Sequence, residues 1–151
     1  MIFRHALLLA FGFGISACAS HQSSVPLDPA EETTIAIYLQ ELNQANPTDP
    51  VIDGRDPSLK QRLSPPVELW RVHPPAPASA RRPPGEGKAV LAGVIERDGA
   101  MSSVRVLTSS GNRDFDASSA EAVRQWRFRP ATIDGSPVRL YLHVTTSYHF
   151  R

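Results

Sequence analysis

The sequence has one cysteine, Cys18, in 151 residues, so it can close no disulfide within itself and build no cysteine-based zinc site. It has no apolar run long enough to cross a bilayer. Residues 6–15, even when extended to Ala19, fall short of the ~20 residues that a membrane helix requires. It has almost no excess charge, with a net +1, and no basic stripe of the kind that binds nucleic acid. Catalytic signatures are missing too: there is no GxSxG, no HExxH, no phosphate loop and no pair of Cys or His at metal spacing. His143 and His149 share one face of a strand but stand ~20 Å apart along it, too far to grip one ion. Asp114, Asp116 and Glu121 suit the start of a helix, and Arg124, Arg127 and Arg129 suit its end. The sequence therefore points away from an enzyme and to no cofactor, and it assigns no catalytic, cofactor-binding or metal-binding residue.

What is abundant is proline. Twelve of the fourteen prolines fall between Pro26 and Pro84, which marks the N-terminal half as a poor source of packed core. Residues 1–17 have the anatomy of a signal peptide: a short basic start (Arg4, His5), the apolar run, and small Ser16 and Ala17. Ile15-Ser16-Ala17-Cys18 resembles the bacterial lipobox, which makes Cys18 the candidate lipid-attachment residue and a lipid anchor the candidate link to the membrane. The alternative is an ordinary secreted protein with an incidental thiol. Ala19 after the cysteine resembles the pattern sent to the outer membrane.

Residues 18–84 read as an anchored N-terminus, a short helix and a proline-rich linker. Asp28-Pro29-Ala30-Glu31 has an N-cap, a proline at the first helical position and the returning acid of a capping box. Ile35, Tyr38, Leu39 and Leu42 then share a helical face, and Asn46-Pro47 ends the pattern. Docking of this helix on the C-terminal domain, or a half-formed state, fits its acidic polar face better than membrane binding does. Leu63, Val67, Leu69, Trp70 and Val72 form the one other apolar cluster. Trp70 is expected at the edge of the domain, with a free docking motif as the alternative. Residues 73–84 (HPPAPASARRPP) favour a stiff, extended spacer.

Residues 85–151 read as the folded domain, an α+β unit of order ββαβ. Residues 88–97 (KAVLAGVIER) and 101–108 (MSSVRVLT) are strands joined by Asp98-Gly99, a hairpin signal. Phe115, Ala122, Val123 and Trp126 share one face of a helix capped by Asn112 or Asp114 and stopped by Pro130. After Asp134-Gly135, residues 138–150 alternate, with Leu140, Leu142 and Val144 on one face and Arg139, Tyr141, His143 and His149 on the other. If the three strands are antiparallel, their order is 2-1-3 with the helix on one face. A two-residue turn pairs Ile95 with Ser102 and Leu91 with Val106 and points Leu91, Gly93 and Ile95 at the helix. A bulge at Gly99 shifts that register by one residue. Trp126 is expected in the core. The third strand is left with a free edge, so Val138, Arg139, Tyr141, His143 and His149 are the candidate partner-binding residues.

Taken in order, Gly87-x-Ala89-Val90, Arg97-Asp98-Gly99, Val104-x-Val106-Leu107 and Ser109-Ser110-Gly111-Asn112 resemble the C-terminal domain of TonB-type energy transducers. So do Phe115-Asp116, Ala120-Glu121-Ala122-Val123, Trp126-Arg127-Phe128-x-Pro130-Ala131 and Asp134-Gly135-x-Pro137-Val138. The resemblance spans residues 85–151. It departs in having His73-Pro74 where the family has Tyr-Pro, and in lacking the family's N-terminal membrane helix. It implies contact with outer-membrane transport machinery, the last strand pairing with an extended peptide of a TonB-dependent receptor or another envelope protein. A second copy of the chain, forming a homodimer, or the chain's own 63–72 segment is an alternative occupant of that edge. Two other functions stay open: an inner-membrane energy transducer that works with a proton-driven motor, and an envelope structural module that binds peptidoglycan or dimerises.

Overall fold

The computed structural model describes residues 29–75 and 86–149; the signal-peptide reading and Cys18 lie outside the described residues. The elements run α1 (Pro29–Ala45), β1 (Val51–Ile52), a 3-10 turn (Pro57–Leu59), β2 (Leu63–Ser64), β3 (Val67–Trp70), β4 (Glu86–Ile95) and β5 (Met101–Thr108). Then come α2 (Arg113–Arg124), β6 (Arg127–Arg129), β7 (Thr132–Ile133), β8 (Ser136–Pro137) and β9 (Arg139–His149). The central sheet has the order β1-β9-β4-β5, so its three long strands stand in the expected 2-1-3 order. A short parallel strand, β1, is added beside β9, and two small ribbons, β2-β7-β8 and β3-β6, flank the sheet.

The β4–β5 hairpin corrects the expected turn. Gly99 takes φ +84°, Glu96 N–H donates to Ala100 C=O at 2.8 Å, and Ile95 pairs with Met101. The loop is therefore Arg97-Asp98-Gly99 with a bulge at the glycine, not a two-residue turn. Gly99 has a second reason to be glycine: its C=O accepts from Phe128 N–H at 2.9 Å, and a Cβ there would meet Phe128 O at 1.8 Å. Further along, Ser103 (φ 50°) sits where the register shifts between Ala92 and Val94, and the expected Leu91–Val106 pair is restored. Two irregularities thus return the side chains to the expected face.

That face is built as its pattern requires. Asn112 Oδ1 caps α2 by accepting from the N–H groups of Asp114 and Phe115 at 3.0 and 3.1 Å. Phe115, Ala120, Val123, Ala89, Leu91 and Ile95 are buried together, with Leu142 and Val144 packed against them. Two hydroxyls lie inside and satisfy each other: Ser119 accepts from Thr146 Oγ1 at 3.0 Å. The helix stops at Arg124, so Trp126 lies beyond its end rather than on its face. Trp126 is still the largest fully buried side chain, and its Nε1–H donates to Val72 C=O at 2.8 Å.

The opposite face corrects a second expectation. Tyr141 does not point to solvent: it is 4% exposed, buried with Ala92 and Val94 beneath Ile35 and Tyr38 of α1 and beside Val51. The short helix read within residues 18–84 thus docks on the C-terminal domain, one of the two states expected of it, and supplies a layer of the same packed unit. The Tyr38 hydroxyl donates to Ser103 C=O, which ties α1 to the bulged strand, and Arg105 pairs with Glu41 at 3.1 Å. Val90, Ala92 and Val94 are buried together with Leu91 and Ile95, because β4 is covered on both sides.

Candidate peptide-binding edge

The outer edge of β9 is paired with β1 over two residues and has no strand partner beyond them among the described residues. β1 runs parallel to it, Val51 beside Arg139 and Ile52 beside Leu140. Beyond Leu140 no strand among the described residues pairs with the outer side of β9, while every residue from Leu140 to His149 pairs with β4 on the inner side. Among the described residues, nine residues of edge, 141–149, are left without a strand partner on that side.

β1 is fixed rather than loosely laid on. The Asn43 side chain of α1 grips Val51 like a neighbouring strand. Its Oδ1 accepts from Val51 N–H at 2.7 Å, and its Nδ2–H donates to Val51 C=O at 3.3 Å. At the start of β9, Arg139 donates to Glu96 at 2.7 Å and to Asp49 C=O at 2.8 Å. The Arg139 guanidinium holds the Glu96 carboxyl below its usual range, against the opposing effect of burial. Asp49 is likewise lowered, chiefly by its hydrogen bond from Arg97. Arg139 is thus the anchor of β1, with its side chain only 12% exposed.

Where β1 ends, the chain turns through Asp53, Gly54 and Arg55 and leaves an open depression of about 530 Å³ lined by Glu32, Asp53, Arg55 and Asp56. Asp53 takes Arg55 in a two-pronged grip, with Nε at 3.0 Å and Nη2 at 2.7 Å. Burial works to raise the Asp53 pKa, but the Arg55 hydrogen bonds prevail and lower it. The Arg55 guanidinium sits 5.7 Å from the Tyr141 ring centroid, and His143 stacks on the same tyrosine at 6.3 Å. Burial, with help from Arg55, depresses the His143 pKa, so its imidazole is neutral at pH 7. Burial also pushes the Tyr141 phenol upward, and its buried hydroxyl makes no hydrogen bond within the described residues.

The five candidate edge residues thus part company. Val138 precedes β9, and its N–H is spent on Ala131 C=O at 3.0 Å. Arg139 is beside β1, Tyr141 faces α1, and His143 is half-buried next to the open edge. His149 lies at the far end of β9, paired with Glu86, and its side chain is outside the described set. Asn43, Asp49 and Val51 escaped the sequence reading. The signal was present but short: two β-branched residues between Pro50 and Asp53-Gly54.

The model of the family described as Gram-negative bacterial TonB protein C-terminal matches residues 72–150, just over half of the chain. The chain belongs to the TonB C-terminal family. It is 34% identical to Protein TonB of Vibrio cholerae over 74 residues, which cover 49% of this chain and 30% of that protein. It is 28% identical to Protein TonB of Xanthomonas campestris pv. campestris over 83 residues, 54% of this chain and 37% of the relative. The chain thus spans about a third of the length of these relatives. Two solved structures are also similar, both at 24% identity: the Pseudomonas aeruginosa TonB CTD (TM-score 0.44, covering 66% of this chain and 92% of that one) and the tonb2 protein of Vibrio anguillarum (TM-score 0.45, covering 56% and 81%). Both α1 and β1 precede the segment that the TonB C-terminal model matches, so the cap on the β9 edge comes from outside it.

Proposed function

We propose that this protein is an envelope binding module that captures an extended peptide of an outer-membrane transport receptor as an added strand on β9. The observation that carries the reading is the open edge of residues 141–149 in a domain of the TonB C-terminal family. β1 sets where the added strand begins. Because β1 is parallel to β9, a peptide in the same direction continues its line, with its first residue beside Asp53. Residues Ile15-Ser16-Ala17-Cys18 support a lipid anchor at Cys18 that holds the module at the periplasmic face of the outer membrane. Palmitate labelling of wild type and Cys18→Ser, with membrane fractionation, tests the anchor separately.

Strand addition is tested on the ligand, which leaves the fold untouched. Synthetic peptides from the N-terminal segments of outer-membrane receptors are titrated unmodified and with single backbone N-methyl groups. A strand contributes hydrogen bonds to one neighbour from alternate residues. Methylation at every second position should therefore abolish binding, and methylation between those positions should be nearly silent. Uniform tolerance of N-methyl groups, with sensitivity only to side-chain changes, contradicts the proposal.

A further inference from the structure

Three of the four exposed large apolar side chains among the described residues stand on one four-residue strand: Val67 at 45%, Leu69 at 60% and Trp70 at 64% exposure. On the β3–β6 ribbon Val67 is paired with Arg129 and Trp70 with Arg127, so apolar and cationic side chains alternate across one face. Phe128, between the two arginines, is buried in the core, which fixes the arginines on the outer side. Arg71 and Arg124 stand close by in sequence. Arg71 stacks 4.4 Å from the Trp126 ring centroid and reaches Glu68 at 3.7 Å; Arg124 pairs with Glu121 at 3.2 Å. Arg127 donates to the C=O groups of Arg124 and Trp126, at 3.2 and 2.8 Å. Arg124, Arg127 and Arg129 against Glu121 leave the patch cationic.

The edge of β3 that has no strand partner among the described residues is poorly suited to another strand. Pro65 and Pro66 lead directly into it, and the register breaks between Glu68 and Trp70, two of the devices that blunt an edge. The bulge brings one more side chain, Leu69, to the exposed set. The partner is therefore met by side chains, not by backbone. The chain's own spacer carries Arg81 and Arg82, the same sign as the patch, so charge argues against it as the cover. Tryptophan and leucine that project from a surface, ringed by arginines with long apolar stems, match the interface of an anionic bilayer. The rings enter at headgroup level and the guanidinium groups reach phosphates.

We infer that the β3–β6 ribbon, through Val67, Leu69, Trp70, Arg127 and Arg129, docks on the surface of an anionic phospholipid membrane. Residues 1–28 contain an apolar run that can tether the chain to lipid whatever this face does, so the readout must be the depth of Trp70 rather than sedimentation. The chain has two tryptophans, and Trp126 is buried, so a lipid-induced emission change reports Trp70. The full chain is mixed with vesicles of phosphatidylglycerol and phosphatidylcholine, or of phosphatidylcholine alone, with and without brominated acyl chains. With anionic vesicles the inference predicts a blue shift and quenching by bromine. Arg129→Gln should weaken the partition about five-fold, the value of one cation near such a surface. Val67→Ser with Leu69→Ser, both exposed and free of core packing, should remove the quenching while near-ultraviolet circular dichroism of Trp126 stays native. Five results overturn it: unshifted Trp70 at saturating anionic lipid, equal quenching in phosphatidylcholine, equal quenching in the double variant, a shift that appears instead with polyglutamate, or one that appears instead with rising protein concentration. The last two assign the face to an acidic protein and to a second copy.

Discussion

The two faces of β4 are covered by different kinds of layer. On the α2 side the core is large and continuous: Phe115, Val123 and Trp126 over Leu91 and Ile95, with its two buried hydroxyls, Ser119 and Thr146, bonded to each other. On the α1 side the sheet offers small Ala92 and Val94 beside Tyr141, and the cover, Ile35 and Tyr38, is stitched by polar contacts. The first layer lies within the TonB C-terminal match, and the second draws Ile35, Tyr38 and Val51 from before it. The difference teaches that an edge strand can be shaped by its back layer. α1 brings Asn43, Asn43 fixes β1, and β1 decides how much of β9 is left open.

The comparison can be broken from either side. Trp126→Ala should cost ~3–5 kcal/mol, the range for a large aromatic removed from a core, and that is most of the stability of a domain this size. Thermal unfolding that barely moves would make the α2 layer dispensable. Ile35→Ala removes a fully buried side chain from the other layer, and ~2–5 kcal/mol is expected if α1 belongs to the same cooperative unit. A melting curve that splits into two transitions, with the second unchanged, would reduce α1 to an ornament. Asn43→Ala strips both hydrogen bonds from the Val51 backbone and should cost ~1–3 kcal/mol. Its sharper signature is faster hydrogen exchange at Val51, with β5 unaffected.

The smallest effect is on pH. The folded-state pKa of His143 lies below its unfolded value, so the unfolded chain binds its proton first on acidification. The neutral imidazole thus contributes stability that is fully present above the unfolded value, near pH 6.5. That contribution declines as pH falls through the depressed folded value. The carboxylates with lowered pKa (Asp49, Asp53, Glu96) act in the same direction but only below about pH 4.5. Chemical denaturation at pH 7.5 and 5.5 should therefore show a loss in wild type that His143→Gln lacks. Equal losses in both would place the titrating group elsewhere.

The ββαβ order was legible because each element carries its own periodicity, and the TonB-like motifs fall in order along it. Trp126 was legible as core, but not its position past the helix end. The spacing from Phe115 continues the helical pattern, while Gln125 already caps α2. The polar look of Arg139, Tyr141 and His143 suggested solvent. Tyrosine and histidine have apolar bodies that a helix can cover, and Arg139 is satisfied by Glu96 and Asp49. A two-residue strand such as β1 has no period to read, and its place depends on Asn43 and Arg139, far from it in sequence. The edge was visible in the sequence; its boundary was not.

The claim that β9 receives a peptide beyond β1 is tested most directly by residue-resolved amide hydrogen exchange, with and without a bound receptor peptide. Strand addition predicts new protection at alternate amides within residues 141–149, ending at Leu140, with none along β5. Protection on β5, or peptide binding with unchanged exchange along β9, would contradict it.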